Sequence, residues 1–106
     1  MIDIDTLINE TGADSGLIFN TDGILIKSVN LQYDHNVAAM MGIIIKMCQE
    51  FTDDLENGLT RQVMIKNNNG IVVANIDSYD NCVALLSKDN TRIGLLLLKM
   101  DAAFRN

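Results

Sequence analysis

The chain has no proline, no tryptophan and a single histidine, and each shortage removes a class of explanation. Without proline, compact structure has to rest on short turns built from glycine, asparagine and aspartate. The one histidine, His35, falls in the first turn of a candidate helix, where a solvated side chain is expected. Cys48 and Cys82 share no CxxC spacing, so they read as reduced, buried, small hydrophobes and not as a disulfide or metal pair. Bases are also scarce: 8 Lys and Arg face 14 acids, a net charge of −6, and they are scattered singly. That balance repels phosphate backbones and anionic membranes, and argues against nucleic-acid binding. The longest uncharged apolar stretches, Val37–Ile45 and Ile93–Leu98, fall far short of the roughly 20 residues that span a bilayer. The acidic opening Met1-Ile2-Asp3-Ile4-Asp5 lacks the basic start of a secretory signal, so a cytoplasmic location is expected, with no membrane insertion.

What is present suits one globular domain covering 1–106, with 48% hydrophobic and 21% charged residues. Ile4, Leu7 and Ile8 form a short amphipathic helix that stops at Thr11-Gly12. Two apolar runs, Gly16–Phe19 and Ile24–Val29, flank an Asp22-Gly23 turn and read as a β-hairpin. A long helix follows from about Asp34, taken as its N-cap, to the stop at Asn57-Gly58. Thr60–Lys66 alternates and carries charge, as expected of an edge strand. Beyond the Asn67–Gly70 turn, Ile71–Ala74 and Cys82–Leu86 are apolar on both faces, so helices must cover both sides of the sheet. Ile93, Leu96, Leu97, Met100 and Phe104 predict a last helix, capped at Asp89 or Asn90. The expected order is αββαβββα, an α+β class with a mostly antiparallel sheet.

The long helix carries more apolar surface than one molecule needs. At about 100° per residue, Val37, Met41, Ile44, Cys48, Phe51 and Leu55 fall near one line and form the expected sheet-facing stripe. With Ile45 on the other side, Met40, Ile43 and Met47 extend the arc to about 200°, twice what one packed face requires. Exposure of those three would forgo roughly 1.5–3 kcal/mol each, so a partner is expected to cover them.

Chemistry is harder to find. The glycines form neither GxGxxG nor GxxxxGK[ST], and no GxSxG or HExxH occurs. The acidic cluster Asp53, Asp54 and Glu56 sits against the helix dipole and is expected to be solvated. Arg61 and Arg92 are available as arginines donated to another protein's active site, although structural roles suit both better. No catalytic, cofactor or metal residue is therefore nominated, and the chain is expected not to be an enzyme.

Three segments in order resemble the roadblock family. They are the hairpin Gly16-Leu-Ile-Phe-Asn-Thr-Asp-Gly-Ile-Leu-Ile-Lys-Ser28, the helix from Val37-Ala-Ala-Met-Met-Gly to Leu55, and Asn90-Thr-Arg-Ile-Gly-Leu-Leu-Leu-Leu-Lys-Met-Asp-Ala-Ala103. The resemblance implies a profilin-like, five-stranded antiparallel sheet between the long helix and the two others. It also implies a homodimer, or pairing with another roadblock protein, through strand 60–66 and the long helix. Met40, Ile43, Met47, Arg61, Val63 and Ile65 would then line the interface. Binding or scaffolding of a small Ras-like GTPase, without cofactor, is the implied function, with Ala39, Ile43, Lys46 and Glu50 facing it. With almost nothing outside the domain, the chain is more similar to minimal prokaryotic members than to the longer eukaryotic, motor-complex subunits. A small-molecule sensor of profilin or PAS type is the competing expectation, and it would need a cavity of several hundred cubic ångströms between helix and sheet.

Overall fold

In the computed structural model, which describes residues 2–77, 79–89 and 92–104, the chain opens on helix α1, Ile4–Thr11. Asp3 starts it, accepting hydrogen bonds from the Thr6 backbone N–H at 3.2 Å and the Thr6 hydroxyl at 2.8 Å. Gly12 ends it in the left-handed region, with its N–H donating to the Ile8 carbonyl. Strands β1 (Ser15–Asn20) and β2 (Leu25–Val29) form the expected hairpin. Its turn is held by the Asn20 side chain, which accepts from the N–H groups of Asp22 and Ile24.

Helix α2 runs from Asp34 to Asp54, then β3 (Gln62–Asn67), β4 (Gly70–Ile76), β5 (Asn81–Ser87) and α3 (Ile93–Ala103). The five strands make one sheet in the order β2-β1-β5-β4-β3, and every neighbouring pair is antiparallel. This is the expected class and element order. The period of two splits β1: Ile18 faces α1 and α3, while Leu17 and Phe19 face α2. One core layer joins Ile4, Leu7, Val73, Leu85, Leu96 and Met100. The other joins Ala38, Met41 and Ile45 of α2 to Ala74, Cys82 and Ala84.

Helix ends depart from the sequence reading. Asp34 is the first helical residue and not the N-cap. Tyr33 precedes it with a positive φ of 55° and no capping side chain. The Asp34 carboxylate instead accepts from the Ser28 hydroxyl at 2.6 Å and the His35 N–H at 2.9 Å. A bond between strand β2 and the helix thus stands where a local cap was expected. At its other end α2 stops at Asp54, short of Asn57, because Glu56 and Gly58 turn the chain through positive φ. Helix α3 starts at Ile93 from Arg92, so Asp89 does not cap it. Asn90, the other candidate cap, lies outside the described residues.

Candidate interaction surface

The orientation of α2 decides which side chains are left for a partner. Gly42 crosses Gly23 of the β1–β2 turn so closely that a Cβ at Gly42 would lie 2.7 Å from the Gly23 Cα. Gly23 in turn tolerates no Cβ, being at positive φ and against the backbone of Ala39. Backbone-to-backbone approach therefore rolls the helix toward its small residues. Ala38, Met41, Gly42 and Ile45 are buried, about a quarter-turn from the expected stripe. Of that stripe only Met41 is fully buried. Val37, Ile44 and Cys48 are half-buried, while Phe51 and Leu55 are exposed. The correction has a physical cause: an apolar pattern reads polarity, whereas close packing here selects for small volume.

The rotation enlarges the exposed flank. Ile43, Met47 and Phe51 are 62%, 65% and 65% exposed, with Met40 and Leu55 beside them. Sequence reasoning placed Met40, Ile43 and Met47 on this flank but assigned Phe51 and Leu55 to the core. The i, i+4 pair of small residues, Ala38 and Gly42, was the signal that could have moved them. Tyr33 adds an exposed aromatic just before the helix.

Strand β3 is a sheet edge, paired among the described residues only with β4, as its charge and alternation predicted. Val63 and Ile65 are half-buried, and Val63 packs against the α2 layer; Gln62, Met64 and Lys66 are exposed. Arg61, just ahead of the strand, is exposed, and its carbonyl accepts from the Ile76 N–H. The residues proposed to face a second protein are Ala39, Ile43, Lys46 and Glu50, all exposed. Lys46 is not loose: its ammonium sits 2.9 Å from the Asp22 carboxylate of the hairpin turn. Such a pair is solvent-screened and positions the side chain more than it stabilises the fold.

The described residues form a groove and a smaller cleft. A groove of about 1140 Å³ runs over the α1 and α3 face of the sheet, open to solvent. A cleft of about 330 Å³ lies at the end of the sheet near Asn30, Asn69 and Lys88. Neither is an enclosed chamber between α2 and the sheet, where Phe19, Ala38 and Ile45 are fully buried. Among the described residues no helix is long and apolar enough to cross a membrane.

A family model described as the Roadblock/LC7 domain matches residues 2–86. Among solved structures, MglB of Myxococcus xanthus superposes with a TM-score of 0.86 at 13% identity, covering 92% of this chain and 82% of that one. A Roadblock/LC7 domain from Streptomyces avermitilis gives 0.84 at 15% identity, covering 94% and 87%. A structure described as MglB with tetrameric arrangement gives 0.86 at 12% identity, covering 95% and 79%. No curated protein matches in sequence. At these identities the structural likeness carries the fold.

Proposed function

Because the chain belongs to the Roadblock/LC7 domain family, we propose that it is a non-catalytic homodimeric module of the cytoplasm that binds and regulates a small Ras-like GTPase. One observation carries the reading: an apolar flank on α2 lies exposed on a domain whose β3 edge has no strand partner among the described residues. An open edge and an exposed apolar flank are both liabilities for a solitary chain. A second copy removes both when β3 pairs with its symmetry mate and the two α2 helices lie side by side. Met40, Ile43 and Met47 would meet across that two-fold axis, with Arg61, Val63 and Ile65 at the strand junction. Phe51 belongs with them. Burying these four partly exposed side chains in each copy contributes on the order of 1–2 kcal/mol apiece, which works against the association entropy.

The paired helices would then offer Ala39, Ile43, Lys46 and Glu50 to a GTPase. The tetrameric arrangement described for one MglB supports self-association within the fold. Size-exclusion chromatography with light scattering tests the dimer, and a monomer at micromolar concentration sinks it. Pull-downs with Ras-like GTPases in both nucleotide states test the partner; uniform failure would assign the surface to another protein. A small-molecule sensor finds less support, because the α2 layer against the sheet is filled by Phe19, Met41 and Ile45.

A further inference from the structure

The groove on the face opposite α2 contains a buried polar group that the fold does not use. Its floor follows one cross-strand row, Gln62–Asn75–Val83–Ile18, each residue paired with the next. Asn75 is 4% exposed. Its Oδ1 accepts from Gln62 Nε2 at 2.9 Å, and the same Nε2 donates to Asp101 Oδ1 at 3.2 Å. This double donation fixes both amides, since rotating them would set Gln62 Oε1 against a carboxylate oxygen. Asn75 Nδ2 is consequently left without a hydrogen-bond partner among the described residues. Buried amide donors are rarely left this way. Beside it, Gln62 Oε1 is an acceptor with no partner among the same residues.

A donor next to an acceptor is the complement of a peptide group, which presents a C=O and an N–H. The rim adds charge: Asp3, Glu10, Asp77 and Asp101 outnumber Arg61 and Lys99, and Lys99 is already 3.6 Å from Glu10. Ile26, half exposed on the hairpin, supplies an apolar wall beside the buried Val83 and Ile18. The volume exceeds the roughly 300–1,000 Å³ of small-molecule sites, and the groove is open, as a chain segment needs. We propose that this groove binds a short basic peptide segment of a partner protein. One of its peptide groups bonds to Asn75 and Gln62, an apolar side chain covers Ile26, and a lysine or arginine meets Asp101 and Asp3. The proposal is independent of the α2 surface, which lies across the sheet.

The test uses the isotope-labelled full chain and three pools of synthetic octapeptides. All carry one leucine and one phenylalanine, with lysine, glutamate or serine at the other positions. The lysine pool is expected to shift the Asn75 side-chain amide and the backbone amides of Val83 and Ile18. Ala102→Trp, at the exposed rim, and Asn75→Leu, which keeps volume but removes the donor, should each weaken binding at least tenfold. Oligomeric state should not change. If Asn75→Leu fails to fold, Ala102→Trp alone decides. Absence of shifts at these positions with every pool, equal shifts with the glutamate pool, or no effect of Ala102→Trp overturns the proposal. Displacement of the lysine pool by spermidine, with the same shifts, would assign the groove to a small amine instead.

Discussion

A Cβ added at Gly42 has backbone in its way, not a flexible side chain that could swing aside. Alanine normally favours a helix by about 1 kcal/mol over glycine. Here the helix must lift off the hairpin to admit it, and Gly42→Ala is expected to lose about 1–3 kcal/mol net in urea unfolding. Cys82 illustrates burial of a different kind. Desolvation first, then the charges of Asp77 and Asp80, push its thiol up to about 12. Iodoacetamide at mildly alkaline pH should therefore modify the half-buried Cys48 in native protein and spare Cys82 until denaturant is added, as read by mass spectrometry. Asp34 is held below the ordinary aspartate range, chiefly by the Ser28 hydroxyl and then by the His35 N–H. A folded-state value below the unfolded one means stability that is present above the unfolded pKa and lost as pH falls through the folded one. Asp34→Asn should then cost stability at neutral pH, and that deficit should shrink below about pH 4 in paired denaturant titrations.

At the scale of elements, α2 has two working faces. Ala38, Met41 and Ile45 attach it to the sheet, whereas Met40, Ile43, Met47 and Phe51 point away. Met47→Glu is expected to leave the circular dichroism spectrum and the fold intact while light scattering reports a monomer. An intact dimer would show that the flank does not form the interface. Element types were readable in advance, because hydrophobic period separates a helix from a strand without any tertiary input. The hairpin turn at Asn20–Ile24 and the glycine stop of α1 were equally local. The helix starts were less legible. Asp34 is bonded to a strand residue and Arg92 opens α3 without a side-chain cap, so neither follows the local capping pattern.

For the whole molecule, a dimer makes stability depend on concentration. The melting temperature should rise with protein over about a hundredfold range, and a constant value by calorimetry would argue for a monomer. The net charge of −6 keeps association specific, because copies repel unless apolar surface is matched. It also sets the sign of any electrostatic partner, consistent with the acidic rim of the α1 and α3 groove.

The sequence by itself determined the order of elements, the two-sided burial of β4 and β5, the edge character of β3 and the family resemblance. The first three follow from polarity repeating along the chain, and the resemblance from three segments of particular residues met in order. Only the tertiary structure decided which way α2 rolls, because the Gly23–Gly42 contact joins residues distant in sequence and depends on missing volume. That roll moved Phe51 and Leu55 from the expected core to the surface. The Asn75 groove was likewise invisible beforehand. Its row of residues comes from four strands, and register aligns them only once the sheet has formed.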